Sequence, residues 1–335
     1  MTLLAPTALQ SLPDPTIIEE LDFEALLSEV KADLIRFAPE LASSLELESE
    51  PVNKIAQAIT YRILHERKLA NDQALSLMLA KAEQSQLDHL GSLPFINTPR
   101  KTIIPADNKA VPPVPAVMED DAEYRLRLHI ALEGFSTAGP VGAYIYHGLA
   151  AHEDIKDIAV EAPTFKRWAV PDELDSHLPS HAIVLIPDDD AGLADPLPGD
   201  VAVTVLSRID GGQPSETAVN AVATTLNHDK VRPLTDRPRC RGAEIIHYHV
   251  KANIWFYPGL DTALILEEAN AKVQAYVEDR QRIGHDVTLS GLHAALHRSG
   301  VQRVELIEPA RDLHINNRQA GYCLSIDINH QGVAV

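Results

Sequence analysis

Between Gly242 and Tyr257 the chain alternates with a period of two. Ile246, Tyr248, Val250, Ala252, Ile254 and Phe256 fall on one side, and Ile245, His247, His249, Lys251, Asn253 and Trp255 on the other. A strand with one apolar face must be covered on that face, so the segment predicts a half-buried, antiparallel sheet with helices laid over it. Candidate helices follow at once. Pro258-Gly259 turns into a predicted helix over Thr262–Arg282, with Leu266, Val273, Tyr276 and Val277 inward. The stretch Gly284–Leu306 then reads as a short strand, a helix capped by Ser290 and carrying Leu292 and Leu296, a stop at Gly300, and a strand holding Val304 and Leu306.

Upstream, Pro6, Pro13 and Pro15 punctuate an arm over residues 1–16. From Ile17 the pattern turns helical, with Phe23, Leu26, Leu27, Val30, Leu34 and Phe37 at steps of three and four, until Pro39 ends it. A second helix is predicted from Pro51 with Val52, Ile55, Ile59 and Ile63 inward. A third is predicted through Asn71–Gln84 with Leu75, Met78, Leu79 and Ala82. These narrow apolar stripes suit either a small bundle or docking faces for partner helices. The candidate partner-helix interface is Phe23, Leu26, Leu27, Val30, Leu34, Val52, Ile55, Ile59 and Ile63.

Four prolines in Ile104–Ala116 favour extended backbone and a semi-rigid spacer, the strongest domain boundary in the chain. Past it, Asp120 and Glu123 open a helix whose expected buried face is Tyr124, Leu128, Ala131, Leu132 and Phe135. Gly139-Pro140 breaks it, a short helix follows over Val141–Ala150, and a strand over Ile155–Val160. Residues 162–199, rich in Pro and Asp, read as a loop insertion with one possible strand at Ala182–Ile186. Val201, Val203 and Val205 alternate as a strand, and Pro214–Leu226 is helical.

The predicted fold class is α+β: an N-terminal helical bundle arm followed by two or three small helix-over-sheet domains. The expected divisions are 1–100 for the arm and helices, 101–118 for the proline-rich linker, 119–207 for a middle domain and 208–335 for a C-terminal domain.

Net charge of −19 without a dense Lys/Arg cluster disfavours nucleic acid and anionic membranes as partners. No run approaches a bilayer span. The N-terminus lacks the basic region of a signal peptide, and two cysteines, Cys240 and Cys323, fit a reducing compartment. Phosphate loops are missing: there is no GxGxxG and no GxxxxGK[ST]. His293 and His297 stand four apart on a predicted helix, a zinc-capable spacing, yet Ala294 replaces the glutamate of HExxH. His247 and His249 share a strand face and could reach one metal. Against the plain reading of these histidines as surface stands a metal-dependent hydrolase using one pair or the other. The expectation from the residues is no catalytic, cofactor or metal site.

Several segments together resemble the baseplate J-like proteins of contractile-tailed phages and related particles such as R-type tailocins. They are Ile17–Leu26 with Leu47–Pro51, Thr102–Ala106 with Pro112–Glu119, Tyr124-Arg-Leu-Arg127, Gly139–Tyr144, Val203–Ser207, Val231–Asp236 and Gly284–Leu306. Their order and spacing run over almost the whole chain, and residues 162–199 are longer than the connection expected there. The resemblance implies a non-enzymatic wedge subunit of a tail baseplate, assembled in the bacterial cytoplasm. It implies two copies joined to one smaller tail protein, the family's I protein. N-terminal helices would form a bundle, and C-terminal domains would pair between wedges to close a ring around the hub. Other baseplate, hub and sheath proteins are the remaining expected partners. His293 and His297 become a candidate inter-wedge contact, and the linker would hold bundle and ring domains apart during contraction.

Overall fold

A computed structural model describes residues 18–135, 139–171, 178–179, 182–259 and 261–333, with Pro13 and Pro15. Most of the expected arm over 1–16 lies outside these residues. The fold is α+β, with helices and four small sheets among the described residues. It divides into two compact units, one of residues 1–101 and 118–129, the other of 102–117 and 130–335.

In the first unit, α1 (Phe23–Phe37) is capped by Asp22, whose carboxylate accepts the N–H groups of Glu24 and Ala25. It packs on α2 (Pro51–Ser76) through Leu27, Leu45 and Ala56, with Phe23, Val30, Leu34, Leu41 and Val52 around them. α2 is one helix of 26 residues where two were expected. No glycine or proline interrupts residues 52–90, so no breaker stops the helix at Asn71. The Asn71 amide stays useful there: it donates to the Glu19 carbonyl at 2.8 Å and accepts the Glu19 N–H at 3.1 Å. The inward positions of α2 also differ from expectation. Asn53, Ala56 and Thr60 are buried, while Ile55 and Ile59 are 58% and 41% exposed. Small and polar side chains let α1 approach closely, which turns the branched residues out. Phe37, expected inward, is 84% exposed.

α3 (Gln84–Gly91) follows a turn over residues 77–81. The proline-rich stretch is not a straight spacer. It leaves at Lys101 and returns at Glu119, whose N–H donates to the Lys101 carbonyl at 2.9 Å. Between them lie short strands β1 (Thr102–Ile104) and β2 (Val117–Met118), and Asp107 and Val114 exchange both backbone hydrogen bonds. Prolines at such a hairpin fit because edge positions need no donor. α4 (Asp121–His129) is capped by Asp120 as expected, but it packs against the residues of the first unit. Its apolar face ends at Leu128; Leu132 and Phe135 are exposed on the short 3₁₀ turn that follows.

In the second unit, α5 (Val141–Ala150) lies on a sheet of order β3-β6-β7. Strand β3 (Ile155–Glu161) runs antiparallel to β6 (Asp200–Ser207). β6 is buried along its whole length, being central and covered on both faces, so its valines do not alternate between core and water. α6 (Glu216–Leu226), capped by Ser215, leads to β7 (Arg237–Gly242), which pairs parallel with β6. The middle sheet thus takes its third strand from beyond Ser207. Residues 162–199 hold a hairpin rather than a loop alone: β4 (Thr164–Arg167) pairs with β5 (Leu185–Asp189).

The C-terminal sheet has the order β10-β8-β9. β8 (Glu244–Phe256) buries Tyr248, Val250, Ala252, Ile254 and Phe256, the predicted face. Val250, Ile254 and Phe256 each contribute about 1.5–3 kcal/mol on burial, and Ala252 less. α7 (Thr262–Arg280) and α8 (Leu289–Leu296) cover that face through Val273, Val277, Leu292 and Leu296. The sheet is mixed, not purely antiparallel: β9 (Val301–Glu308) is antiparallel to β8, whereas β10 (Gln319–Val333) is parallel to it. The α8 cap is Thr288, whose hydroxyl accepts the Gly291 N–H at 3.2 Å. Ser290 lies inside the first turn. The helix ends at Leu296, and Gly300 takes its positive φ of 97° in the turn beyond.

Candidate assembly surfaces

The expected partner-helix residues fall into two sets. Leu26 and Leu27 are buried, and Phe23, Val30, Leu34, Val52 and Ile63 are half-buried, so they hold the unit itself together. Ile55 and Ile59 face outward on α2, and exposed Leu69 falls on the same side of the helix further along. Aliphatic side chains at this spacing on an uncovered helix face suit another helix.

Of the two histidine pairs, His247, His293 and His297 are exposed and His249 is half-buried. His293 and His297 are exposed at the C-terminal end of α8, and the His297 N–H caps the His293 carbonyl at 2.9 Å. His247 sits edge-on to Tyr322 with ring centres 6.0 Å apart. The His249 Nδ1 lies 3.0 Å from the Ser325 hydroxyl. Among the described residues no three His, Cys, Asp or Glu side chains gather as a metal site.

Sequence reading missed a knot of buried charge in the first unit. Arg127 meets Glu119 in a two-point ion pair, Nε to Oε1 at 2.8 Å and a terminal nitrogen to Oε2 at 2.7 Å. Arg125, almost fully buried, donates to the carbonyls of Leu79 at 2.8 Å and Ala82 at 2.5 Å. The Tyr124 hydroxyl donates to the Thr98 carbonyl at 2.8 Å, and burial pushes its pKa up. Arg100 lies over the Tyr124 ring at 4.6 Å and pairs with Asp88 and Asp121 at 2.6 Å each. Burial opposes ionisation of Asp121, but the Gln84 N–H and Arg100 outweigh it and hold its carboxyl below the ordinary range. The signal was present in Tyr124-Arg-Leu-Arg127 shortly after the acids Glu119–Asp121, but the carbonyls that Tyr124 and Arg125 reach on Thr98, Ala82 and Leu79 are 26, 43 and 46 residues away, and no local period reveals them.

A second set of arginines fixes the insertion. Arg237 and Arg239 reach Asp200 at 2.7 and 3.2 Å. Arg239 also donates to the Ala194 carbonyl at 3.0 Å, and Arg241 to the carbonyls of Ala191, at 2.8 Å, and Gly192. Arg318 pairs with Glu161 at 3.1 Å and Asp189 at 3.2 Å. The hairpin β4–β5 is therefore stitched at its base to the middle sheet.

Two segments quoted for the family resemblance also meet. The Tyr144 hydroxyl donates to the Asp236 carboxylate at 2.7 Å, and burial with that acid pushes the tyrosine pKa strongly up. Gly139, at φ 73°, packs so closely that a Cβ would sit 3.0 Å from Pro233 and 3.1 Å from Asp236.

The fold is thus an α+β chain whose buried charges hold segments together and whose α2 carries outward aliphatic side chains. Residues 48–107 match the baseplate J-like N-terminal domain, and residues 248–329 match the baseplate J-like protein C-terminal domain. The chain is 40% identical over 320 residues to Baseplate protein J of Escherichia phage P2, covering 94% of each. It belongs to the baseplate J-like family of virion structural proteins.

Proposed function

We propose that this chain is a wedge subunit of a contractile tail baseplate, placed around the hub and linking neighbouring wedges into a ring that rearranges on contraction. The observation that carries the reading is end-to-end similarity, 40% identity across 94% of both chains. Two copies join one smaller I-like tail protein through N-terminal helices. The outward Ile55 and Ile59 of α2, with Leu69 on the same side, supply a surface suited to that contact. Exposed His293 and His297 are candidate contacts between wedges. Assembly in the bacterial cytoplasm, before docking to hub and sheath, follows from the same reading.

Deletion of the gene in its parent phage or tailocin tests it. The expected result is lysates with no complete baseplates by electron microscopy, restored by the gene in trans. Intact, contractile particles in the deletion strain contradict it.

A further inference from the structure

Among the described residues the chain passes from the middle sheet to the C-terminal sheet only once, at Ala243. The Ala243 N–H donates back to the Val205 carbonyl at 2.8 Å, and the next one, that of Glu244, donates forward to the Arg318 carbonyl at 2.9 Å. Each side buries residues of its own: Ile158, Val203 and Val222 before the crossing, Val250, Val273 and Leu292 after it. Between the sides the apolar contact is thin. Leu206, Ala243, Ile283 and Ala320 are buried there with Ala159 and Ile245 beside them, and half of these six are alanine. Domains that meet over a small and partly polar seam are free to move relative to one another.

The rest of the seam is polar and has two parts. The first is buried. Asp157, on β3, accepts the Ile283 N–H at 2.9 Å, and beside it Lys156 donates to the Gln281 side chain at 3.0 Å. Burial pushes the Asp157 pKa up, against the pull of Arg282, of the Ile283 and Ile158 N–H groups and of His285. Arg282 Nε and His285 Nδ1 are buried without a hydrogen-bond partner. Closure thus dries a carboxylate and two polar nitrogens at a cost that contact with water would remove.

The second part is more exposed. Arg318, in the turn before β10, reaches Glu161 at 3.1 Å, Asp189 at 3.2 Å and Asp190 at 3.7 Å. All three acids lie before the crossing, and Asp189 and Asp190 stand at the end of β5, inside the 162–199 insertion. One cation of the C-terminal side is therefore held by three anions of the middle side. We propose that the two sides form a separable joint that opens about Ala243 while each stays folded, and that the insertion is its clasp, with Asp189 and Asp190 holding Arg318. The use of this joint in contraction rests on the wedge reading above; the joint itself is a property of the single chain.

Hydrogen exchange on the full chain tests it. The Ile283 N–H reports opening, because its acceptor lies across the seam. The triple variant Glu161→Gln, Asp189→Asn, Asp190→Asn removes the three charges, keeps side-chain oxygens for the Ala191 and Gly192 N–H groups and leaves Asp157 in place. Exchange over residues 281–285 should rise about 3- to 30-fold, with residues 201–206 and 250–256 unchanged. In the wild type, raising NaCl from about 0.05 to about 0.5 M should give the same selective rise, and it should add nothing in the triple variant, since screening acts on the exposed clasp. Spin labels at Asn220→Cys and Lys272→Cys, exposed positions on α6 and α7, with Cys240→Ala and Cys323→Ala, should show a broader distance distribution when the clasp is removed. Unchanged exchange over 281–285 in the variant and at high salt overturns the proposal. So does a rise that spreads equally through 250–256, which would mean unfolding of the domain, and so does an unaltered distance distribution. Selective opening in a chain whose gene deletion leaves intact particles would sink the wedge reading and leave the joint standing.

Discussion

Glu119 and Arg127 face each other in a two-point ion pair with their side chains 0% and 6% exposed, at the place where the chain re-enters the first unit. The residue that returns from the hairpin thereby fixes the helix that follows it, and the Arg127 guanidinium also donates to the Pro99 carbonyl at 2.8 Å on the outgoing side. Breaking one partner leaves an uncompensated buried charge. Arg127→Ala and Glu119→Gln should each cost about 3–5 kcal/mol. The chain has two units, so hydrogen exchange resolved by segment is the suitable readout. Protection should fall across residues 79–101 and 119–129 and stay unchanged in the C-terminal sheet. A uniform loss would contradict the local role.

Close packing of α5 on the middle sheet gives a second expectation. A Cβ on Gly148 would collide with the tip of the Ile158 side chain. Gly148→Ala should destabilise the chain by about 1–3 kcal/mol, and Ile158→Val should recover part of that loss in the double variant. Thermal unfolding of the four chains measures the coupling, and simple additivity would contradict the contact.

Helix capping separates the sequence reading from the structure at α8. Thr288→Ala should cost about 1 kcal/mol, because its hydroxyl accepts the Gly291 N–H. Ser290→Ala should stay within about 0.5 kcal/mol of wild type. The reverse order in denaturant titrations would restore Ser290 as the cap.

Burial pushes the Cys240 thiol up to about 11 from an ordinary value of 9.0. At pH 8 its thiolate fraction is then about a hundredfold below that of a free cysteine, and alkylation should slow accordingly. The folded chain holds this proton more tightly than the unfolded chain. Its contribution to stability is therefore full below pH 9 and is lost as pH rises toward 11. Peptide-resolved alkylation between pH 7 and 10 measures it. Labelling of Cys240 at the free-cysteine rate at pH 8 would contradict the shift.

Much of the C-terminal half was legible because its signals are local. Val250, Ala252, Ile254 and Phe256 alternate, and Val273 and Val277 sit one helical turn apart on the face that covers them. The first half was harder. Asn71 looked like a boundary until its long-range clamp on Glu19 was visible, and Ile55 and Ile59 mimic a core stripe while the smaller Ala56 and Thr60 make the contact. The parallel pairing of β10 with β8 likewise depends on a return path that no window of sequence contains. The surface residues divide the same way. His293 and His297 are exposed as a helix face predicts, whereas the place of β10 at the margin of the sheet shows only once the strand order is known.

The wedge reading is tested most directly by co-expressing this chain with the I-like tail protein of the same particle and weighing the product by native mass spectrometry. A single complex of two copies of this chain with one of the smaller protein is the predicted result, with Ile55→Asp and Ile59→Asp together dissociating it. Two folded proteins that purify apart, with no mixed species, would contradict the account.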